Sequence, residues 1–352
     1  MKVLYVFAGA RKGRFEGVPG VDYPDTQLYG FNHLQKHGID AAFKETNDLF
    51  PAIIRAKVGF RIRHFLMFFA TFGYDIVFGS ALMYMLFWKR LIPRRTKFVL
   101  LNFSLKRLLE SNKDKPLKLA LIHWLLKGAD EVVNVSAVQQ KYLAEHCPYL
   151  HGKMSVVFGN VDIDFYHGDR SRSEDFFAVG RDNGRDYKTL IEAARRLPQA
   201  RFEIACGERN VKGITNIPQN VTVHYNFRFP QVKKKLETAR AMLLITHPDT
   251  FSDGADCSGQ TVLMEAMASG VPIIMTRKAY LPEYVTDGVE ALVVEPYDVE
   301  GIVKAVRQLD DESFRAHMGK NARERAEKQL SSALMGERLA RVFRTVLARS
   351  QS

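Results

Sequence analysis

Cysteine is scarce in this 352-residue chain: Cys147, Cys206 and Cys257 are scattered, odd in number and form no C-x-x-C or Cys/His cluster. That excludes a disulfide framework and a structural zinc site, and it favours a reducing cytosol. The histidines are dispersed without metal-ligand spacing. The glycines of GARKGRFEGVPG make no G-x-G-x-x-G, and no nucleic-acid motif, repeat or low-complexity tract occurs. From Phe65 to Trp88 the only charge is Asp75, yet Gly73 and Asp75 interrupt the run where YDIVFGS reads as a strand, so a transmembrane span is not expected.

What is present is enough apolar sequence for a large core, 46% against 26% charged, and a length that suggests two domains. The opening MKVLYVFAGARKGR looks superficially like a signal peptide, but its apolar run is short and reads as a first buried strand and its turn. The formal net charge of +12 implies an anionic partner. Most of the excess is N-terminal: residues 1 to 110 carry 17 Lys/Arg against 8 Asp/Glu (17 − 8 = +9), and residues 51 to 110 alone carry 11 against 2.

The first half alternates β-rich runs (MKVLYVF, DAAFKE, DIVFGS, KFVLLNF, EVVNVS, MSVVF) with amphipathic segments, a βαβ rhythm. Within it a helix is expected from Asp25, as N-cap, to His37, with Gly38 as its stop, and another over Pro51 to Phe72. The polar stretch DIDFYHGDRSRSED, 162 to 175, marks a boundary, after which FFAVG, RFEIA, VTVHY, MLLIT, VPIIM and ALVV read as strands. Helices are expected between them at Asp186–Leu197, Val232–Ala239, Thr261–Ser269 and Val299–Leu309. The expected fold class is α/β, with doubly wound parallel sheets. The expected domains are 1–165, 166–325 and a C-terminal helix over 326–352 that returns to the first domain.

The segment SGQTVLMEAMASGVPIIMT, Ser258 to Thr276, reads as a glycine turn, a helix carrying Glu265 in its second turn, and a stop at Gly270 and Pro272. Backbone N–H groups at Gly259, Gln260 and Thr261 would begin that helix unpaired, a ready anion site. The Glu265 carboxylate suits a ribose diol, since it can accept two hydroxyl hydrogen bonds, although a solvated Glu265 on an ordinary helix is the plain alternative. The segment resembles the signature of family-four glycosyltransferases of the GT-B fold, in which a glutamate, seven residues and a second glutamate precede AMA-x-G-x-P. Glu265 matches the second glutamate; the first falls on Cys257, a departure at the position that contacts donor-sugar hydroxyls in the family. Asp256 or Asp253 could supply that contact.

VGRDNGRDYKTLIEA, Val179 to Ala193, resembles the family's first C-terminal-domain strand and the turn bearing its phosphate-binding Arg and Lys. Arg181 matches the Arg, and Arg185 matches the Lys after a one-residue deletion. Expelling a nucleoside diphosphate builds negative charge on the leaving oxygen, which two guanidiniums can offset without a metal. The resemblance covers residues 130 to 310 well and the first 125 only in architecture. It implies two facing Rossmann-like domains and a retaining transfer from a UDP- or GDP-sugar bound between them, with no metal or other cofactor. Asp162-Ile-Asp164 has the spacing of a metal-binding D-x-D but falls in the segment leading to the linker and reads as structural.

Residues 52 to 71 place Ile54, Val58, Ile62, Phe65 and Phe69 on one stripe, with Arg55, Lys57, Arg61 and Arg63 around it. Such helices lie in the headgroup layer, with Lys and Arg on anionic lipid; the alternative is a domain helix packing this stripe on the sheet. The expectation is an enzyme peripheral to the cytoplasmic membrane face, acting on a lipid or lipid-linked saccharide, with no nucleic-acid partner. A non-catalytic subunit that binds a nucleotide sugar or a partner enzyme is the alternative, motivated by Cys257.

Overall fold

The computed structural model describes residues 1–9, 11, 23–45, 59–92, 94–167, 172–173, 175–253 and 256–349. The chain divides into two compact units, 1–158 with 332–352, and 159–331. Residues 159 to 165 and 326 to 331, assigned above to the first domain and to the C-terminal helix, thus belong to the second unit. Each unit holds one six-stranded, all-parallel sheet. The fold class is α/β with two Rossmann-like domains, as expected.

In the first unit β1 (Lys2–Phe7), β2 (Asp40–Glu45), β3 (Ile76–Gly79), β4 (Lys97–Asn102), β5 (Glu131–Asn134) and β6 (Met154–Val156) take the order β2-β1-β3-β4-β5-β6. The central strands are continuous apolar runs because both faces are covered. Leu4, Val6, Val77, Phe98, Leu100 and Val132 face one way, onto Met67, Phe68, Met85, Leu86, Ile122 and Leu126. Tyr5 and Phe78 alternate to the other face, where their rings meet Phe31 and, from the C-terminal helix Ser332–Ala348, Phe343.

Two expectations are corrected here. Asp25 to His37 is two 3-10 segments, Asp25–Leu28 and Phe31–His37, not one α-helix. They are parted by Tyr29 (φ 52°) and Gly30 (φ 72°), and a Cβ on Gly30 would stand 2.5 Å from the Gly336 backbone nitrogen. The break is therefore what lets the C-terminal helix come close. Asp25 is not the N-cap, a place taken by Pro24; its carboxylate accepts from the Ser332 hydroxyl and lies 3.2 Å from His33 Nε2. Gly38 does end the segment, in the left-handed region at φ 70°.

Of the expected helix over Pro51 to Phe72, residues 51–58 lie outside the described residues, and with them Ile54, Arg55, Lys57 and Val58. The described part is the helix Phe60–Leu66, continued as a 3-10 turn over Met67–Thr71. Its core face is His64, Met67, Phe68 and Thr71, all buried, while Ile62 is 55% and Phe69 48% exposed. Of the stripe's described residues, Ile62 and Phe69 therefore do not pack inward, and the core contacts are made by a different set. Phe65 is half-buried against Trp88, with ring centroids 4.6 Å apart; Arg61 is exposed and Arg63 half-buried. Among the described residues no helix is long and apolar enough to cross a membrane.

In the second unit β7 (Asp175–Val179), β8 (Arg201–Ala205), β9 (Val221–His224), β10 (Ala241–Leu244), β11 (Ile273–Thr276) and β12 (Leu292–Val294) take the order β12-β11-β10-β7-β8-β9. The helices Tyr187–Arg195, Phe229–Thr238, Gln260–Ala268 and Val299–Gln308 fall within a turn of the expected bounds. Asp186 and Asp298 cap two of them, accepting the Thr189 and Gly301 amides through their side chains. The chain runs outward from β7 through β8 and β9, then returns to β10 on β7's other side. The loops after β7 and β10 therefore diverge and leave a crevice at the carboxyl ends of the strands, where doubly wound sheets bind ligands.

Candidate functional site

Four segments reach that crevice: the turn 180–185 after β7, residues 245–249 after β10, the start of the Gln260–Ala268 helix, and residues 277–278 after β11. The first is folded around Arg185. Its side chain lies along the Gly180 backbone so closely that a Cβ there would stand 2.1 Å from Arg185 Nε. Arg185 Nε donates to Asp182 Oδ2 at 3.1 Å, and the other oxygen of that carboxylate accepts from Ser258 Oγ at 2.5 Å and the Gly184 amide at 3.0 Å. Burial alone would raise the Asp182 pKa, but the Arg185 charge and these hydrogen bonds outweigh it and hold the carboxyl below its ordinary value.

Asp182 thus ties the two turns together and aims the guanidinium. Gly259, the N-cap of the helix, has φ 89°, and a Cβ on it would lie 3.3 Å from Arg185 Nη1 and 3.9 Å from Thr246 Cγ2. Residues at and beside this helix start carry three buried polar atoms: Arg185 Nη1, Thr246 Oγ1 and Gln260 Nε2. Among the described residues none of the three has a hydrogen-bond partner. A polar atom buried without a partner costs on the order of 1–3 kcal/mol, and more when it is charged, so with the positive end of the helix dipole beside them these groups make a candidate anion site.

The structure sorts the sequence-predicted residues. Arg185, Gly259 and Gln260 come together, though not as expected in one detail: the Gln260 amide is not unpaired but donates to Cys257 O at 3.1 Å, and it is the side-chain amide that has no partner. Thr261 is exposed on the first turn. Arg181 points elsewhere; it is exposed, with Nη2 3.4 Å from Phe227 O. Glu265 is 9% exposed rather than solvated. The Cys257 thiol is pushed well above its usual pKa by burial, then by the Asp256, Glu283 and Asp249 carboxylates, so it is protonated and carries no charge in place of the glutamate. Asp253 accepts from Asn183 Nδ2. Asp162 Oδ1 accepts the Phe165 amide at 3.2 Å, a structural contact.

Sequence reasoning missed Thr246, Lys278 and Asp249. The Lys278 side chain is 5% exposed; Nζ donates to His247 O at 2.6 Å and lies 3.4 Å from Asp249 Oδ1. Burial lowers its pKa, and Asp249 partly offsets this. Asp249 Oδ2 also accepts the Ala279 amide at 2.8 Å. Thr246 and Lys278 each lie two residues past a buried strand and Asp249 five past one, positions that gain meaning only once the sheet order shows which strand ends open to the crevice.

Two six-stranded doubly wound domains in one chain make up the GT-B fold. Residues 162–325 match the family model Glycosyl transferases group 1. Over 117 residues the chain is 32% identical to N-acetyl-alpha-D-glucosaminyl L-malate synthase of Bacillus anthracis, spanning 33% of this chain and 29% of that protein. Over 133 residues it is 32% identical to the GDP-mannose-dependent monoacylated alpha-(1-6)-phosphatidylinositol monomannoside mannosyltransferase of Corynebacterium glutamicum, 37% of this chain and 34% of that one. The matches thus span about a third of these relatives. Among solved structures the chain is similar in fold to sucrose-phosphate synthase of Thermosynechococcus elongatus, with a TM-score of 0.74 at 15% identity over 99% of both chains. It is likewise similar to Anabaena HepE in complex with UDP and glucose, with a TM-score of 0.68 at 15% identity over 98% of this chain and 100% of that one.

Proposed function

We propose that the protein is a retaining glycosyltransferase that moves a sugar from a UDP- or GDP-sugar to a lipid or lipid-linked saccharide at the cytoplasmic face of the membrane. The observation that carries the donor half is the trio of buried, unpartnered atoms on Arg185, Thr246 and Gln260 at one helix start. In the reaction the bond between the anomeric carbon and the diphosphate oxygen breaks, the acceptor oxygen bonds to that carbon, and the acceptor proton passes to the departing diphosphate. Arg185 Nη1 and the helix start stabilise the charge that grows on the leaving oxygen, a task that needs no metal. Glu265 takes the ribose hydroxyls. Retention follows from the likeness to family-four enzymes. The Corynebacterium relative, GDP-mannose-dependent by its name, and a neighbour solved with UDP support the donor class.

The acceptor half rests on the first unit, outside the matched residues 162–325. Its Phe60–Thr71 segment turns Ile62 and Phe69 to solvent beside Arg61, as a helix lying in a headgroup layer does. The Corynebacterium relative, by its name, acts on a phosphatidylinositol derivative. Incubating the purified protein with UDP- and GDP-sugars and lipid extract tests the whole reading: transfer to lipid supports it, whereas transfer only to soluble acceptors sinks the acceptor half. A non-catalytic, nucleotide-sugar-binding subunit is the second reading, favoured by the neutral Cys257 thiol. Donor binding with neither transfer nor hydrolysis would establish it.

A further inference from the structure

The helix Pro116–Leu126, PLKLALIHWLL, is apolar on nearly every side, yet the fold covers only part of it. Ile122 and Leu126 are buried in the core of the first unit, whereas Leu117 is 88% and Leu121 49% exposed. Positions 117, 121 and 124 recur at helical spacing, so Trp124 shares their outward face. Its ring lies 5.8 Å from that of Phe87, which is itself 5.5 Å from Phe65 on the neighbouring helix. The outer faces of three neighbouring helices, Phe60–Leu66, Met83–Leu91 and Pro116–Leu126, are thereby joined in one apolar band.

The charge around the band has one sign. Residues 59 to 127 carry 13 Lys/Arg against 3 Asp/Glu (13 − 3 = +10). Arg61, Arg90, Lys113, Lys115, Lys118 and Lys127 are exposed. Of the three acids, Asp75 accepts the Lys2 amide, Glu110 accepts from the Tyr142 hydroxyl, and Asp114 is exposed beside Lys113 and Lys115. An apolar band rimmed by cations fits a layered occupant, hydrocarbon beneath anionic headgroups. A second copy of this chain would set one strongly basic face against another.

We infer that Leu117, Leu121 and Trp124 form a second bilayer-inserting edge, so that an anionic phospholipid membrane is held across three helices and not by the Phe60–Thr71 segment alone. The inference rests on the membrane reading above and extends it. Arg90, whose guanidinium lies 5.2 Å from the Trp124 ring centre, and Lys118 would meet the headgroups flanking the inserted residues.

The test is sedimentation with vesicles of roughly three parts phosphatidylcholine to one part phosphatidylglycerol at low salt. Leu117→Ser with Leu121→Ser, both exposed, should weaken partitioning about tenfold or more while leaving UDP and GDP binding as in the wild type. The chain has two tryptophans. In a Trp88→Phe background, lipids brominated on the acyl chain should quench Trp124. A double variant that sediments like the wild type, while Arg61→Gln with Phe69→Ser releases the protein, would overturn this inference and leave the simpler reading standing. Sedimentation without Trp124 quenching would do the same. A wild type that ignores the vesicles would overturn both, as would a dimer dispersed by the double variant in a protein that binds no vesicles.

Discussion

At the scale of single residues the account turns on Arg185. Its guanidinium is held by Asp182 on one side and left with a buried, unpartnered nitrogen on the other. Losing a charged hydrogen bond costs about 1.5–3 kcal/mol, so Arg185→Ala should slow transfer roughly ten- to hundredfold or more, with the fold intact by circular dichroism. Arg181→Ala should cost less, because Arg181 is exposed and its guanidinium, among the described residues, donates only to Phe227 O. Steady-state kinetics on both variants checks the order. Asp182 gives a pH prediction. Its folded pKa lies below the unfolded value of 3.8, so its contribution to stability is present above that value and is lost as pH falls through the folded one. Asp182→Asn should therefore flatten the acid limb of the stability curve measured by urea melts, and should loosen Arg185 at neutral pH.

At the scale of elements, glycines decide how closely segments approach. A Cβ on Gly336 would stand 2.8 Å from His33 Cβ and 2.9 Å from Gly30 O. Gly336→Val should thus push the C-terminal helix off the first unit, costing about 1–3 kcal/mol by denaturant titration, with UDP binding in the second unit retained. This contact also explains what the sequence hid. Asp25 to His37 has the spacing of an ordinary helix, and nothing local announces that Gly30 must break it for a helix some three hundred residues further on. The second unit was far more legible, since buried parallel strands read as uninterrupted apolar runs and its helices carry their caps in the sequence. Arg185 could be read through the resemblance to the family's phosphate-binding turn, and Gln260 through a helix start, although for its backbone amide and not its side chain. Thr246 and Lys278 could not, because a polar residue after a strand gains meaning only when the sheet order shows which strand ends line the crevice.

At the scale of the whole molecule, charge is divided by task. Ten of the twelve net positive charges fall in residues 59 to 127 of the first unit, whereas the proposed donor site of the second unit rests on one arginine and one helix start. Raising salt should accordingly weaken vesicle binding steeply and nucleotide binding much less, which parallel sedimentation and calorimetry would register. If Arg185 and the helix start offset the leaving-group charge as proposed, transfer should persist in EDTA; full loss restored by manganese would contradict that. The most direct measurement is calorimetric titration of UDP and GDP into the wild type and Arg185→Ala. The account predicts that one of the two nucleotides binds the wild type and binds the variant at least about tenfold more weakly, in line with one lost charged hydrogen bond. Equal affinity for wild type and variant, or no affinity of the wild type for either nucleotide, would contradict it.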